Sequence, residues 1–155
     1  MSWPRRDPGR PLTPGERRLA AEMFGTALDP EPVRIHCARW FPFQPRNVAM
    51  APDGHIWFHP DGGLWHADFA DASDRLQAFF LHELTHVWQH QRGVRLLLRR
   101  HPFCRYGYAI EPGKALCRYG IEQQAMIVEH AFLARRSGEP DAKLEKVLRD
   151  AGLIA

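Results

Sequence analysis

The run from Asp71 to Gly93, D-A-S-D-R-L-Q-A-F-F-L-H-E-L-T-H-V-W-Q-H-Q-R-G, decides how the rest of the chain is read. Leu76, Phe79, Phe80, Leu84, Val87 and Trp88 recur at helical spacing, and neither Pro nor Gly interrupts before Gly93. This spacing predicts a helix, capped at its start by Asp71 with Asp74 three residues on, and stopped by Gly93. The helix is apolar around most of its circumference, so it is expected at the centre of the fold. Within it stand His82, Glu83 and His86, in the order H-E-x-x-H. Side chains four residues apart stack on one face of a helix, so the two imidazoles can hold one metal ion between them. Glu83 is offset by one residue and falls beside that ion, where a general base takes a proton from a water on the metal. Two histidines and a glutamate on a buried helix are costly without partners, and a metal would satisfy all three.

The chain has 155 residues, of which 45% are hydrophobic and 25% charged. That is the composition of one globular domain with a sizeable core. We expect an irregular arm over residues 1–12 and a single domain over 13–155. No apolar run approaches the roughly 18 residues of a membrane span. Met1 to Arg10 carries Arg5, Arg6 and Arg10 without an apolar stretch, so no secretory signal is expected. A cytoplasmic protein, or one exported without a classical signal peptide, is the corresponding expectation. Net charge is +3, and five arginines fall between Arg92 and Arg105. Without interleaved aromatics or a nucleic-acid-binding motif this run reads as a solvated loop, and nucleic acid is not an expected partner. Cys37, Cys104 and Cys117 show no metal-type spacing and read as reduced thiols, although an oxidising compartment would let Cys104 and Cys117 pair.

Elsewhere the punctuation is local. Thr13-Pro14-Gly15-Glu16 is a capping box with Pro in the first turn, followed by a stripe of Leu19, Ala20, Met23 and Phe24 and a stop at Gly25. Val33, Ile35 and Cys37 alternate with polar residues and predict a half-buried strand. Asn47 to Ala51, Pro52-Asp53-Gly54 and His55 to His59 predict strand, turn and strand. Ile56 and Phe58 share one face there, and His55 and His59 are expected to face solvent rather than a metal. Val94 to Leu98 reads as a short helix or loop, Tyr106 to Ile110 as a short extended piece, and Glu111 to Lys114 as a turn. Ile121, Ala125, Val128 and Phe132 mark a good amphipathic helix within Tyr119–Arg136. Leu144, Val147 and Leu148 mark a last one that stops at Gly152.

A catalytic zinc usually has three protein ligands and one open position. Gln89 and Arg92 occupy the places where an extended H-E-x-x-H-x-x-G-x-x-H motif would need Gly and His, so the third ligand comes from elsewhere. Glu122 and Glu129, seven residues apart, point the same way from the Tyr119–Arg136 helix. Glu122 is the favoured ligand. Glu129 is the chief alternative, or a partner that holds a histidine N–H.

The order of the T-P-G-E helix, the V-R-I-H strand, M-A-P-D-G-H-I-W-F, F-L-H-E-L-T-H-V-W-Q-H-Q and Y-G-I-E-Q-Q-A resembles the small bacterial zinc metallopeptidases of the Vgr-related or Rhs-associated type. It is also similar to the metallopeptidase-like domain found with contractile injection systems. The resemblance spans roughly residues 12 to 136. It implies a gluzincin-like site with Zn2+ on His82, His86 and Glu122 and with Glu83 as base. Met126 stands where many gluzincins carry an Asp four residues after the ligand Glu, so another residue must supply that outer carboxylate. The fold expected is α+β and zincin-like, a small antiparallel sheet packed on the central motif helix. The reaction expected is hydrolysis of a peptide or related amide bond, with a secretion-system component as a further possible partner. His101, Tyr106, Tyr108 and Tyr119 are candidates for the donor that stabilises the oxyanion. The strand Gly54 to His59 is expected to hold an extended peptide along its edge. A metal-stabilised module without catalysis and a nucleic-acid binder with structural zinc are the other readings.

Overall fold

The computed structural model describes residues 7–99 and 105–155. His101 and Cys104, and part of the arginine run, lie outside them. In chain order the elements are β1 (Arg10–Pro11), α1 (Pro14–Phe24), β2 (Arg34–His36), β3 (Ala49–Met50), β4 (Ile56–Phe58), α2 (Asp74–Gln91), α3 (Leu96–Arg99), α4 (Ile121–Arg136) and α5 (Ala142–Asp150). Short 3-10 turns cover Phe69–Asp71 and Leu116–Arg118.

The sheet order is β1-β2-β4-β3. The Pro52-Asp53-Gly54 turn folds β3 back on β4 as an antiparallel pair, as its residues predict. β4, however, lies parallel to β2, with Ile35 opposite Ile56 and His36 opposite Trp57. The sheet is therefore mixed, not purely antiparallel. Register between distant strands is set by which faces bury, and Ile35, Ile56 and Phe58 are all at most 1% exposed. β4 is thus an interior strand with no edge to offer a peptide; in this sheet β1 and β3 are the edges. The arm is also shorter than expected, because Arg10 pairs with Ile35 and Pro11 with Arg34. The segment 105–111 forms no strand.

β2 departs from simple alternation. Cys37 is exposed and His36 is buried, its ring stacked on Trp57 at 3.7 Å between centroids. Neither His55 nor His59 is solvent-exposed as expected: His55 Nδ1 accepts from the Arg34 amide, and buried His59 accepts from the Asp61 amide.

α2 is the centre of the molecule. Ala78, Phe80, Leu81, Leu84 and Val87 are fully buried, and α4 is its most extensive neighbour. The helix is capped by Ser73, whose hydroxyl accepts from the Leu76 amide, while Asp71 sits in the preceding 3-10 turn. At the other end Gly93 takes φ 84°, and the amides of Gly93 and Val94 close on the carbonyls of His90 and Gln89. A glycine in the left-handed region is what this closure needs. α1 leans on the 3-10 turn before α2 through Glu16, which is completely buried. Glu16 receives Arg10 at 2.8 Å on each oxygen, the Thr13 amide at 2.9 Å and the Phe69 amide at 2.9 Å. The capping-box residue thereby joins β1, α1 and the approach to the motif helix.

Candidate metal centre

The H-E-x-x-H spacing on α2 brings His82 and His86 to one face, with ring centroids 5.2 Å apart. The first turn of α4 adds Glu122. One ligand-type atom from each of His82, His86 and Glu122 lies within 4.8 Å of the others, and all three side chains are buried. Glu122 Oε2 stands 3.1 Å from His82 Nε2 and 3.2 Å from His86 Nε2.

The far side of each ring is held. His82 Nδ1 is 2.9 Å from Glu129 Oε2, and His86 Nδ1 is 2.9 Å from Gln89 Oε1. A carboxylate and an amide oxygen only accept, so both Nδ1 atoms carry the proton and both Nε2 atoms turn toward Glu122. Gln89 is itself fixed, its amide donating to the Ile121 carbonyl at 2.9 Å and to Gln124 Oε1 at 3.0 Å. Two neutral Nε2 lone pairs facing one carboxylate oxygen repel unless a cation lies among them. Burial alone would lower His82, but Glu122 and Glu129 outweigh it and hold the imidazole up to about 10. Burial would likewise raise Glu122, yet the two histidines hold it well below the usual carboxylate range. The donor set of two imidazole nitrogens and one carboxylate oxygen, with both rings oriented from outside, fits a zinc ion.

Glu129, one of the two glutamates considered for the third position, therefore sits on a ring nitrogen rather than among the converging atoms. It supplies from seven residues after Glu122 the outer carboxylate that Met126 cannot. Gln89 escaped the sequence reading. Its place three residues after His86 on the same helix face was the available signal. Glu83 is buried beside His82 on α2. Tyr119 is removed from the oxyanion candidates, since it is buried with its hydroxyl on the Glu111 amide at 3.0 Å. Tyr108 bonds His130 at 2.7 Å, one residue beyond Glu129, and burial with nearby carboxylates pushes its phenol up to about 12. Tyr106 is 49% exposed.

No family model matches the chain. Over 152 aligned residues it is 41% identical to the type VI secretion system spike protein VgrG2b of Pseudomonas aeruginosa, an alignment covering 92% of this chain and 15% of that protein. The solved effector domain of Pseudomonas aeruginosa VgrG2b matches with a TM-score of 0.78 and 36% identity, over 100% of this chain and 89% of that one. The α+β fold is thus shared with an effector domain of a spike protein. The chain belongs to the family of the VgrG2b effector domain. Among the described residues no helix is long and apolar enough to cross a membrane.

Proposed function

We propose that the chain is a zinc-dependent hydrolase of peptide or related amide bonds that works in connection with a type VI secretion system. The observation that carries the chemistry is the convergence of His82, His86 and Glu122 within 4.8 Å, with both histidines oriented from behind by Glu129 and Gln89. The secretion link rests on the kinship with VgrG2b, named as a spike protein.

In this reading His82, His86 and Glu122 hold the metal. Zinc would supply Lewis acidity, lowering the pKa of a water and polarising the scissile carbonyl. Glu83 takes the proton from the attacking water and returns it to the leaving amine. Glu129 and Gln89 keep each Nδ1 protonated, which leaves each Nε2 lone pair available to hold the metal. An extended substrate pairs with the β3 edge at Ala49 and Met50, since β4 is enclosed.

Metal analysis of purified protein tests the site. One zinc per chain is expected, and His82→Ala should lose it; full retention in that variant refutes the ligand set. Glu83→Gln should keep zinc and fold while hydrolysis falls by about 100-fold or more. A Glu83→Gln variant with the wild-type rate would sink the mechanism. Zinc binding without hydrolysis of any peptide in a broad library favours a metal-stabilised module.

A further inference from the structure

A cavity of about 600 Å3 lies between the C-terminal end of α2, the segment 110–117 and α5. None of His82, Glu83, His86, Glu122 or Glu129 lines it. Its size falls in the range of about 300–1,000 Å3 that ligand sites occupy. Trp88, Ile110, Leu116 and Val147 give it an apolar wall. The indole N–H of Trp88, a residue only 3% exposed, has no acceptor among the described residues. An unpaired buried donor is a cost the folded protein carries by itself.

The charge around this apolar wall is predominantly cationic. Arg92 comes from the end of α2, Lys114 from the Glu111–Lys114 turn, and Lys143 and Lys146 from α5; Glu111 and Asp150 are the carboxylates there. Lys146 is taken up by Asp150 at 2.6 Å, and Lys114 lies 3.5 Å from Glu111. Arg92 lies over the Trp88 ring at 4.9 Å and makes no ion pair among the described residues, nor does Lys143. Two cations without a carboxylate thus flank one apolar cavity from different elements.

We propose that this cavity binds an acidic peptide segment, which inserts one bulky apolar side chain and places a carboxylate on either side of it. The apolar wall takes the side chain. Arg92 and Lys143 take the flanking acids. A fatty acid brings one carboxylate to the two cations, whereas an acidic peptide brings one to each. The site is separate from the metal cluster and does not depend on the hydrolase reading.

The test is titration of a labelled Glu-Asp-Phe-Asp-Glu peptide into the full chain carrying Glu83→Gln, so that the probe is not cut. Saturable binding is expected, weakening as salt is raised. Lys143→Glu should weaken it by about tenfold or more through charge reversal. Ala115→Trp, at an exposed position in the lining, should weaken it at least as much by filling the cavity. The alanine peptide Glu-Asp-Ala-Asp-Glu should bind worse than the phenylalanine one. The proposal is overturned by absence of saturable binding, by unchanged affinity in Ala115→Trp or Lys143→Glu, or by dodecanoate binding where the peptide does not.

Discussion

Glu16 and Glu122 are two buried glutamates in nearly the same local setting. Each lies in the first turn of a helix, where the backbone favours negative charge, and each is at most 1% exposed. Their partners differ in kind. Glu16 is surrounded by the Arg10 guanidinium and two backbone amides, groups that only donate. Glu122 is faced by two imidazole nitrogens that donate or accept according to what lies between them. The first carboxylate is committed to the fold. The second would be satisfied by a proton or a cation between it and the imidazoles, as the proposed metal site requires. Burial alone does not distinguish a structural charge from a reactive one; the chemistry of its neighbours does.

The sharpest break of this contrast is Glu16→Ala. It strands Arg10 and two amides at the junction of β1, α1 and the 3-10 turn. We expect a loss of about 3 kcal/mol in denaturant unfolding, because removing one partner leaves the other group uncompensated. Zinc affinity of the folded fraction should not change. If unfolding is unaffected, Glu16 is not the staple described here.

Glu122→Ala should show the opposite pattern. Zinc affinity measured by competition with a chelator should fall by more than about 100-fold, beyond the range for an outer partner. Metal-free stability should fall less than in Glu16→Ala, since the histidines then lose a carboxylate and not their only solvation. Equal losses of fold in the two variants would erase the distinction.

Glu129→Gln sharpens it further. The amide can still accept from His82 Nδ1 but brings no charge. Zinc affinity should fall by about 10–100-fold, less than for Glu122→Ala. The reverse ranking would make Glu129 the ligand.

The smallest effect is expected at a half-buried carboxylate. The Arg135 guanidinium, at 2.7 and 2.8 Å, holds Glu145 below its ordinary value against the opposing effect of burial. A depressed carboxylate contributes stability that is full above its unfolded pKa and is lost as pH falls through the folded value. Wild type and Glu145→Gln should therefore differ by less than about 1 kcal/mol near neutrality and converge in acid. A difference that persists at low pH would mean packing rather than charge.

Much of this molecule could be read locally. The H-E-x-x-H helix, its Gly93 stop, the Thr13–Glu16 capping box and the amphipathic runs of α4 and α5 are all set by residues within a turn or two of each other. So was the Pro52-Asp53-Gly54 turn, which yields the antiparallel β3–β4 pair. The candidacy of Glu122 and Glu129 was also legible, because helical periodicity puts both on one face. What a helix wheel does not contain is the offset between two helices. Only the packing of α4 on α2 puts Glu122 against both Nε2 atoms and Glu129 behind His82. The parallel pairing of β2 with β4 and the enclosure of β4 likewise depend on contacts between distant residues. So do the burial of His59, the Glu16 junction and the cavity beside Trp88. Spacing along the chain determines local conformation and which residues share a face. Which faces meet, and at what height, is decided by burying all of them at once.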